Sequence, residues 1–369
     1  MNSKSIKPIS YITSILLIIF FIALRWNSVN LPYIRDEGSS AYPAWLMSQG
    51  LSPYVHAFVH KFPMIIYTYV FAHWINPIAT WPPRVLAYIF TGAATILIGL
   101  IGAKEFGKKA GWAAMWIMTP MIFLPGFSEY TVKPMKFAML PLIGILYLYT
   151  TKQETISSRR SFIAGCFAAI AIMYKPNVLP FILFIVVFLL YDMWKQSRAL
   201  HVIGKTILWG MAGILLSIAV IMSYFIVHNS LSAFWECAVV FNWHYANMMG
   251  SGSNAWNMTF NLMKSWWFLF ALIMYLIYRS NNKKKIFYGG LLISSFLSSG
   301  LSQGTNYYLL TIPIIALLSA GGLNQLMQDI SNKVKLIPQW LIYGSIICLI
   351  MFGLVWPIRS WIVMSPLHF

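Results

Sequence analysis

Two adjacent carboxylates, Asp36 and Glu37, stand out in a chain of 369 residues that holds only eight acids. A carboxylate within hydrogen-bond reach of a hydroxyl can take its proton, so the pair is a candidate for general-base chemistry. Acids at the start of a helix over 38–49 would also favour its dipole, and the two roles are compatible. Glu129, in the stretch 127–134, is a third candidate acid. Several cations complement them: Lys61 before Phe62-Pro63, Arg84 after Pro82-Pro83, Lys133 and Lys136 beside Glu129, and Lys175 at a Lys175-Pro176-Asn177 bend. Lysines and arginines gathered on one cavity are what a phosphate needs. Lys175 is the most telling. It joins two apolar limbs, each shorter than the roughly 20 residues of a bilayer span. A cation sunk that deep is costly unless it meets a polar cavity or an anion; the alternative is a side chain that snorkels to the interface. His56 and His60 have metal-ligand spacing, but no third ligand accompanies them, so no metal and no cofactor are expected.

These residues sit in a membrane-type chain. It is 59% hydrophobic and 17% aromatic with 9% charged residues, and its mean hydropathy is +0.70. A soluble domain carries roughly 25% charge. Apolar periodicity predicts about 11 transmembrane helices: 9–26, 83–103, 111–126, 134–150, 161–175, 177–193, 206–227, 259–278, 286–301, 307–321 and 339–357. The fold class expected is therefore an all-α polytopic membrane protein. A single domain over 1–369 with no soluble C-terminal domain is expected. The first helix is read as retained, a cleaved signal peptide being the alternative. The three cysteines are scattered and form no disulfide or zinc pattern.

Charge orients these helices. With the N terminus in the cytoplasm, 17 of the 26 basic residues fall on short cytoplasmic segments, the triple lysine 283–285 among them. That satisfies the positive-inside rule. The net charge of +18 is then explained by orientation and anionic lipid headgroups, not by nucleic acid. Glu105, Glu154, Asp192 and Asp329 fall on the cytoplasmic side as solvated charges. Asp36, Glu37, Glu129 and Glu236 fall outside, and Glu236, in an aromatic stretch, is given no chemistry. The outer loop 27–82 contains short helices over 41–49 and 63–75, rich in Trp, Tyr and Met, of the kind that lie in the membrane interface; an ordinary packed loop is the alternative.

In order along the chain, several pieces resemble the membrane glycosyltransferases of the GT-C superfold. The nearest in pattern are bacterial relatives of protein O-mannosyltransferases and of the lipid A aminoarabinose transferase. The pieces are Asp36-Glu37-Gly38 after the first helix, Ala44 to Gly50 leading to Pro53-Tyr54, and His60-Lys61-Phe62-Pro63. Arg84, Glu129, Tyr174-Lys175-Pro176 and Asn306-Tyr307-Tyr308 with Pro313 follow. The resemblance implies transfer of a sugar from a polyprenyl-phosphate donor to an acceptor outside the cytoplasm, at the outer face of a plasma (inner) membrane. It implies Asp36 as the base, acting with inversion, and Glu37 and Glu129 as supporting acids. Lys61, Arg84 and Lys175 would be ligands of the donor phosphate, and Tyr307 and Tyr308 would line the cavity. The sequence departs from the family at Phe62, where Lys-Pro-Pro is common, and at Ser39, where some members have arginine. The rival functions are a flippase or transporter of lipid-linked sugar and a non-catalytic assembly factor. Against transport, no internal repeat is present and the notable charges lie outside the mid-bilayer.

Overall fold

The computed structural model describes residues 6–23, 29–123, 131–150, 157–248, 253–299 and 305–333. Its helices run in the order α1 (Ile6–Ala23), α2 (Arg35–Ser48), α3 (Pro53–His56), α4 (Pro63–Ile75), α5 (Trp81–Phe106), α6 (Lys108–Ile122), α7 (Pro134–Thr150) and α8 (Ser158–Tyr174). They continue with α9 (Leu179–Lys195), α10 (Leu200–Val227), α11 (Leu231–Phe234), α12 (Phe241–Met248), α13 (Ser253–Ser265), α14 (Trp267–Arg279), α15 (Asn282–Ser298) and α16 (Ile312–Lys333). A 3₁₀ turn, Pro176–Val178, joins α8 to α9, a π turn, Trp235–Val240, joins α11 to α12, and a 3₁₀ segment, Thr305–Leu310, precedes α16. Among the described residues there is no strand.

Pro at the first helical positions starts α3, α4 and α5, where its missing N–H costs nothing. Tight helix approach depends on absent side chains. A Cβ on Gly213 would collide with the Phe162 carbonyl, and one on Gly165 with the Gly210 carbonyl, so α8 and α10 touch backbone to backbone. Small residues serve this purpose between helices in lipid. The outward faces are apolar: Leu215, Leu216 and Val220 of α10, Leu183 and Val187 of α9, and Ile15, Ile18 and Ile19 of α1 are all exposed. Apolar surface of that extent fits a hydrocarbon surrounding, in which helices satisfy their own backbone groups.

Helix length and composition by themselves mark fewer spans than the about 11 expected from the sequence. Among the described residues, three helical stretches are long and apolar enough to cross a bilayer: Trp81–Phe106, Pro176–Lys195 and Leu200–Val227. The expected span 259–278 is bent by 89° between Thr259–Ser265 and Trp267–Arg279, and counts as a fourth only if taken as one. The expected span 307–321 is displaced, since 305–310 is a 3₁₀ segment and the helix runs to Lys333. The span 339–357 lies outside the described residues.

Five of the described acids form two groups at opposite ends of α5. At its C-terminal end, Glu105 pairs with Lys284 at 2.8 Å and accepts from the Tyr288 hydroxyl at 2.8 Å. Asp192 pairs with Lys283, and Asp329 with Arg279 at 2.9 Å. These acids, expected to be solvated, staple the α14–α15 turn to its neighbours instead. At the N-terminal end stands Arg84 with Glu37. Arg84 and Glu105 are twenty-one residues apart on α5, about 31 Å at 1.5 Å per residue. That matches the ~30 Å hydrocarbon core of a bilayer.

Candidate active site

The first turn of α2 presents its two acids to different surroundings. Glu37 is wholly buried. Its carboxylate accepts from Arg84 Nε at 3.1 Å and Arg84 Nη2 at 2.7 Å, from the Val132 N–H at 3.0 Å, and from the Ile34 N–H at 3.2 Å. The last bond caps the helix with its own third residue. Arg84, equally buried, also donates to the carbonyls of Val29 (3.2 Å), Leu31 and Pro32 (2.9 Å). A guanidinium has five N–H donors, and among the described residues this one faces at least five acceptor atoms. The fork–fork pair thus locks the loop before α2, the start of α5 and the segment before α7 into one body.

Asp36 faces the other way. Its side chain is 55% exposed, and its Oδ2 pairs with the ammonium of Lys133, whose side chain is 9% exposed. Lys61 holds the same residue from behind, donating from Nζ to the Asp36 carbonyl and to Ser40 Oγ, the latter at 2.7 Å. The Lys61 loop is itself fastened at both sides: Tyr54 donates to the Lys61 carbonyl at 2.7 Å, and Asn242 to the His60 carbonyl at 2.6 Å.

Lys175 closes the group. It ends α8 in an extended conformation before the Pro176 turn. Its ammonium lies over the Tyr307 ring, 4.7 Å from the centroid. The neighbouring Tyr174 hydroxyl bonds Thr68 of α4 at 2.9 Å, fixing the bend. Tyr307 and Tyr308, adjacent in the 3₁₀ segment, part company: Tyr308 is buried, with its hydroxyl 2.6 Å from Thr259 of α13.

The electrostatics follow from this crowding. The hydrogen bond from Lys133 holds the Asp36 carboxyl below its ordinary range, with Lys61 and Arg35 adding to the effect against partial burial. Burial lowers the Lys61 ammonium to about 8, and the charges of Lys133 and Lys175 push the same way. The His60 imidazole is lowered by burial, then by Lys61 and Lys175. Lys133 pairs with the Asp36 carboxylate itself, Lys61 reaches the residue through its carbonyl, and Lys175 lies near enough to feel its charge. Cations in excess at a partly exposed site are suited to bind an anion.

Asp36, Lys61, Lys175 and Tyr307, all singled out in the sequence, lie near one another. Glu37 and Arg84 meet each other rather than the open site, and Tyr308 turns toward α13. Glu129 lies outside the described residues. Lys136, buried, donates to the Thr131 carbonyl at 2.8 Å. His56 Nδ1 lies 3.0 Å from the Ser52 carbonyl, and no group of three metal-ligating side chains occurs among the described residues. Lys133, noted in the sequence among the outer cations beside Glu129 but given no role there, is the partner of Asp36.

No protein-family model matches the sequence, and no curated protein matches it. Solved structures do match its fold. ArnT from Cupriavidus metallidurans, bound to undecaprenyl phosphate, superposes with a TM-score of 0.64 at 13% identity, over 85% of this chain and 60% of ArnT. The oligosaccharyltransferase AglB from Archaeoglobus fulgidus, in complex with an inhibitory peptide and a dolichol-phosphate, gives 0.56 at 13% identity, over 94% of this chain and 54% of AglB. The chain therefore spans little more than half the length of either protein. At such identities the likeness is one of fold, the helical membrane fold that ArnT and AglB share.

Proposed function

Because the chain has this fold and its motifs resemble those of the GT-C superfold, we propose that it is a membrane glycosyltransferase that moves a sugar from a polyprenyl-phosphate donor to an extracytoplasmic acceptor. The observation that carries this reading is the set of three lysines, Lys61, Lys133 and Lys175, around the exposed carboxylate of Asp36. Asp36 takes the proton from the acceptor hydroxyl. The hydroxyl oxygen then bonds the anomeric carbon, and the bond from that carbon to the phosphate oxygen breaks. The electron pair leaves with the phosphate, in a single displacement that inverts the anomeric centre.

Charge explains why the lysines matter. The donor phosphodiester carries one negative charge, and the released monoester carries up to two. Fixed cations bind the second state more strongly than the first, so they favour the transition state over the bound donor. Lys133 serves twice, holding Asp36 and facing the donor phosphate. In this assignment Arg84 and Glu37 are positioning residues that hold α2 and α5, and Tyr307 orients Lys175. Glu129 is kept as a second acid near the acceptor. We read the chain as one transmembrane transferase domain in a plasma membrane, N terminus in the cytoplasm. The site then lies on the outer face, opposite the ion pairs of Glu105, Asp192 and Asp329.

The test is transfer itself. Membranes containing the protein, supplied with undecaprenyl-phosphate hexose labelled in the sugar, should release undecaprenyl phosphate and pass the label to a lipid-linked or polymeric acceptor. Movement of the intact labelled lipid between leaflets without release of undecaprenyl phosphate would favour the flippase reading.

A further inference from the structure

An aromatic shelf borders the lysine group, and the mechanism above does not use it. The π turn Trp235–Val240 widens the chain just before α12 and resets the direction of the residues after it. Phe241 and Tyr245 then share one face of α12, one turn apart, with ring centroids 5.8 Å apart and planes inclined by 17°. The His60 ring continues the row 6.0 Å from Phe241, and Phe58 supports Phe241 edge-on at 4.7 Å. Asn242, the next residue of the helix, ties this row to the phosphate loop through its bond to the His60 carbonyl. The row is also next to the charges: His60 feels Lys61, Lys175 and Asp36, and Tyr307 feels both Tyr245 and Asp36.

We propose that His60, Phe241 and Tyr245 form the subsite for the sugar ring of the lipid-linked donor, which lies with its apolar face on the aromatic row. The inference rests on the donor reading above and deepens it. In such a donor the sugar hangs from the phosphate by a single glycosidic bond. Once the phosphate sits among Lys61, Lys133 and Lys175, the ring must rest on whatever wall adjoins them. The wall that begins at the residue next to Lys61 is this one. Aromatic faces suit a pyranose, whose axial C–H groups make one side apolar while its hydroxyls reach polar neighbours. The Asn242 carboxamide oxygen, which accepts no hydrogen bond from the described residues, is an acceptor for one such hydroxyl. This separates the shelf from an ordinary interfacial belt of aromatics. Trp243, highly exposed on a different face of α12, is the belt-like residue of the same helix.

Binding of two ligands to the full-length protein in nanodiscs tests the assignment: undecaprenyl phosphate and undecaprenyl-phosphate mannose, with the glucose and aminopentose forms as further probes. Tyr245→Ser, Phe241→Leu and a Trp243→Ser control are compared with the wild type. The expected result is that the first two raise the Kd of at least one sugar-bearing lipid about three- to tenfold. They leave bare undecaprenyl phosphate unchanged, and Trp243→Ser changes neither. Equal weakening of both ligands, no weakening of either, or the same effect from Trp243→Ser would overturn the subsite. So would a change confined to the KM of the acceptor, which would assign the row to the acceptor instead. If the wild type bound no polyprenyl phosphate at all, the donor reading itself would fall, an outcome distinct from the others. Phe241→Leu keeps the bulk against Phe58, and Tyr245 is exposed, so both variants should fold.

Discussion

The carboxylate of Asp36 is paired with the ammonium of Lys133, ninety-seven residues later in the chain. The acid is the exposed partner and the lysine the covered one. A base tied to a cation is weak until that cation is drawn elsewhere, and a donor phosphate offers it a second partner. On the proposed mechanism, Lys133 would link donor arrival to the state of Asp36.

Removing that ammonium should move the pH dependence of transfer. Lys133 lowers the Asp36 pKa from its ordinary value of 3.8. A carboxyl with a depressed folded value stays ionised, and supports the fold, until pH falls through that lowered value. In Lys133→Met the value rises again, so the acid limb of kcat/KM should shift to higher pH. The KM for donor should rise as well. A pH–rate profile with an unmoved acid limb would count against the pair.

Lys61 predicts the opposite limb. Its ammonium is lowered to about 8 by burial, and only the protonated form attracts a phosphate. Above about pH 7.5, where the phosphate monoester is already dianionic, affinity for undecaprenyl phosphate should decline as pH rises through about 8. Lys61→Arg, which keeps its charge throughout, should flatten the decline even if it weakens binding. Titrating binding from pH 7.5 to 9.5 checks this, and a wild-type affinity constant over that range would exclude the role.

The Glu37–Arg84 pair predicts a stability effect. Leaving either charge buried alone costs about 3–5 kcal/mol. Glu37→Gln and Arg84→Met should therefore lower the Tm in detergent sharply, while the double variant Glu37→Leu/Arg84→Met recovers part of the loss. If Arg84→Met kept its Tm but lost affinity for undecaprenyl phosphate, Arg84 would regain the phosphate role that its position in the sequence suggested.

What could be read in the sequence was what local pattern records. Apolar runs outline α5, α7, α9 and α10 because burial in lipid needs long stretches without charge. The rarity of acids pointed to Asp36, and the Lys175-Pro176 bend advertised a cation too deep to be solvated. Pairings across long separations left no such trace. Nothing near residue 133 says that its lysine meets Asp36, or that Arg84 spends its donors on Glu37 and three carbonyls. Tyr307 and Tyr308 are identical neighbours, yet one lies under Lys175 and the other bonds Thr259. The 89° break before Trp267 has no proline or glycine to mark it, so the run 259–278 reads as one continuous span.

The most direct test of the account is the carboxylate itself. Asp36→Asn keeps the size of the side chain but removes its capacity to take a proton at this pH. Purified Asp36→Asn protein should bind undecaprenyl-phosphate hexose and keep the wild-type Tm within a few degrees. Its release of undecaprenyl phosphate in the presence of acceptor should fall by about 10²–10⁴-fold. Release at the wild-type rate would contradict Asp36 as the base and with it the mechanism.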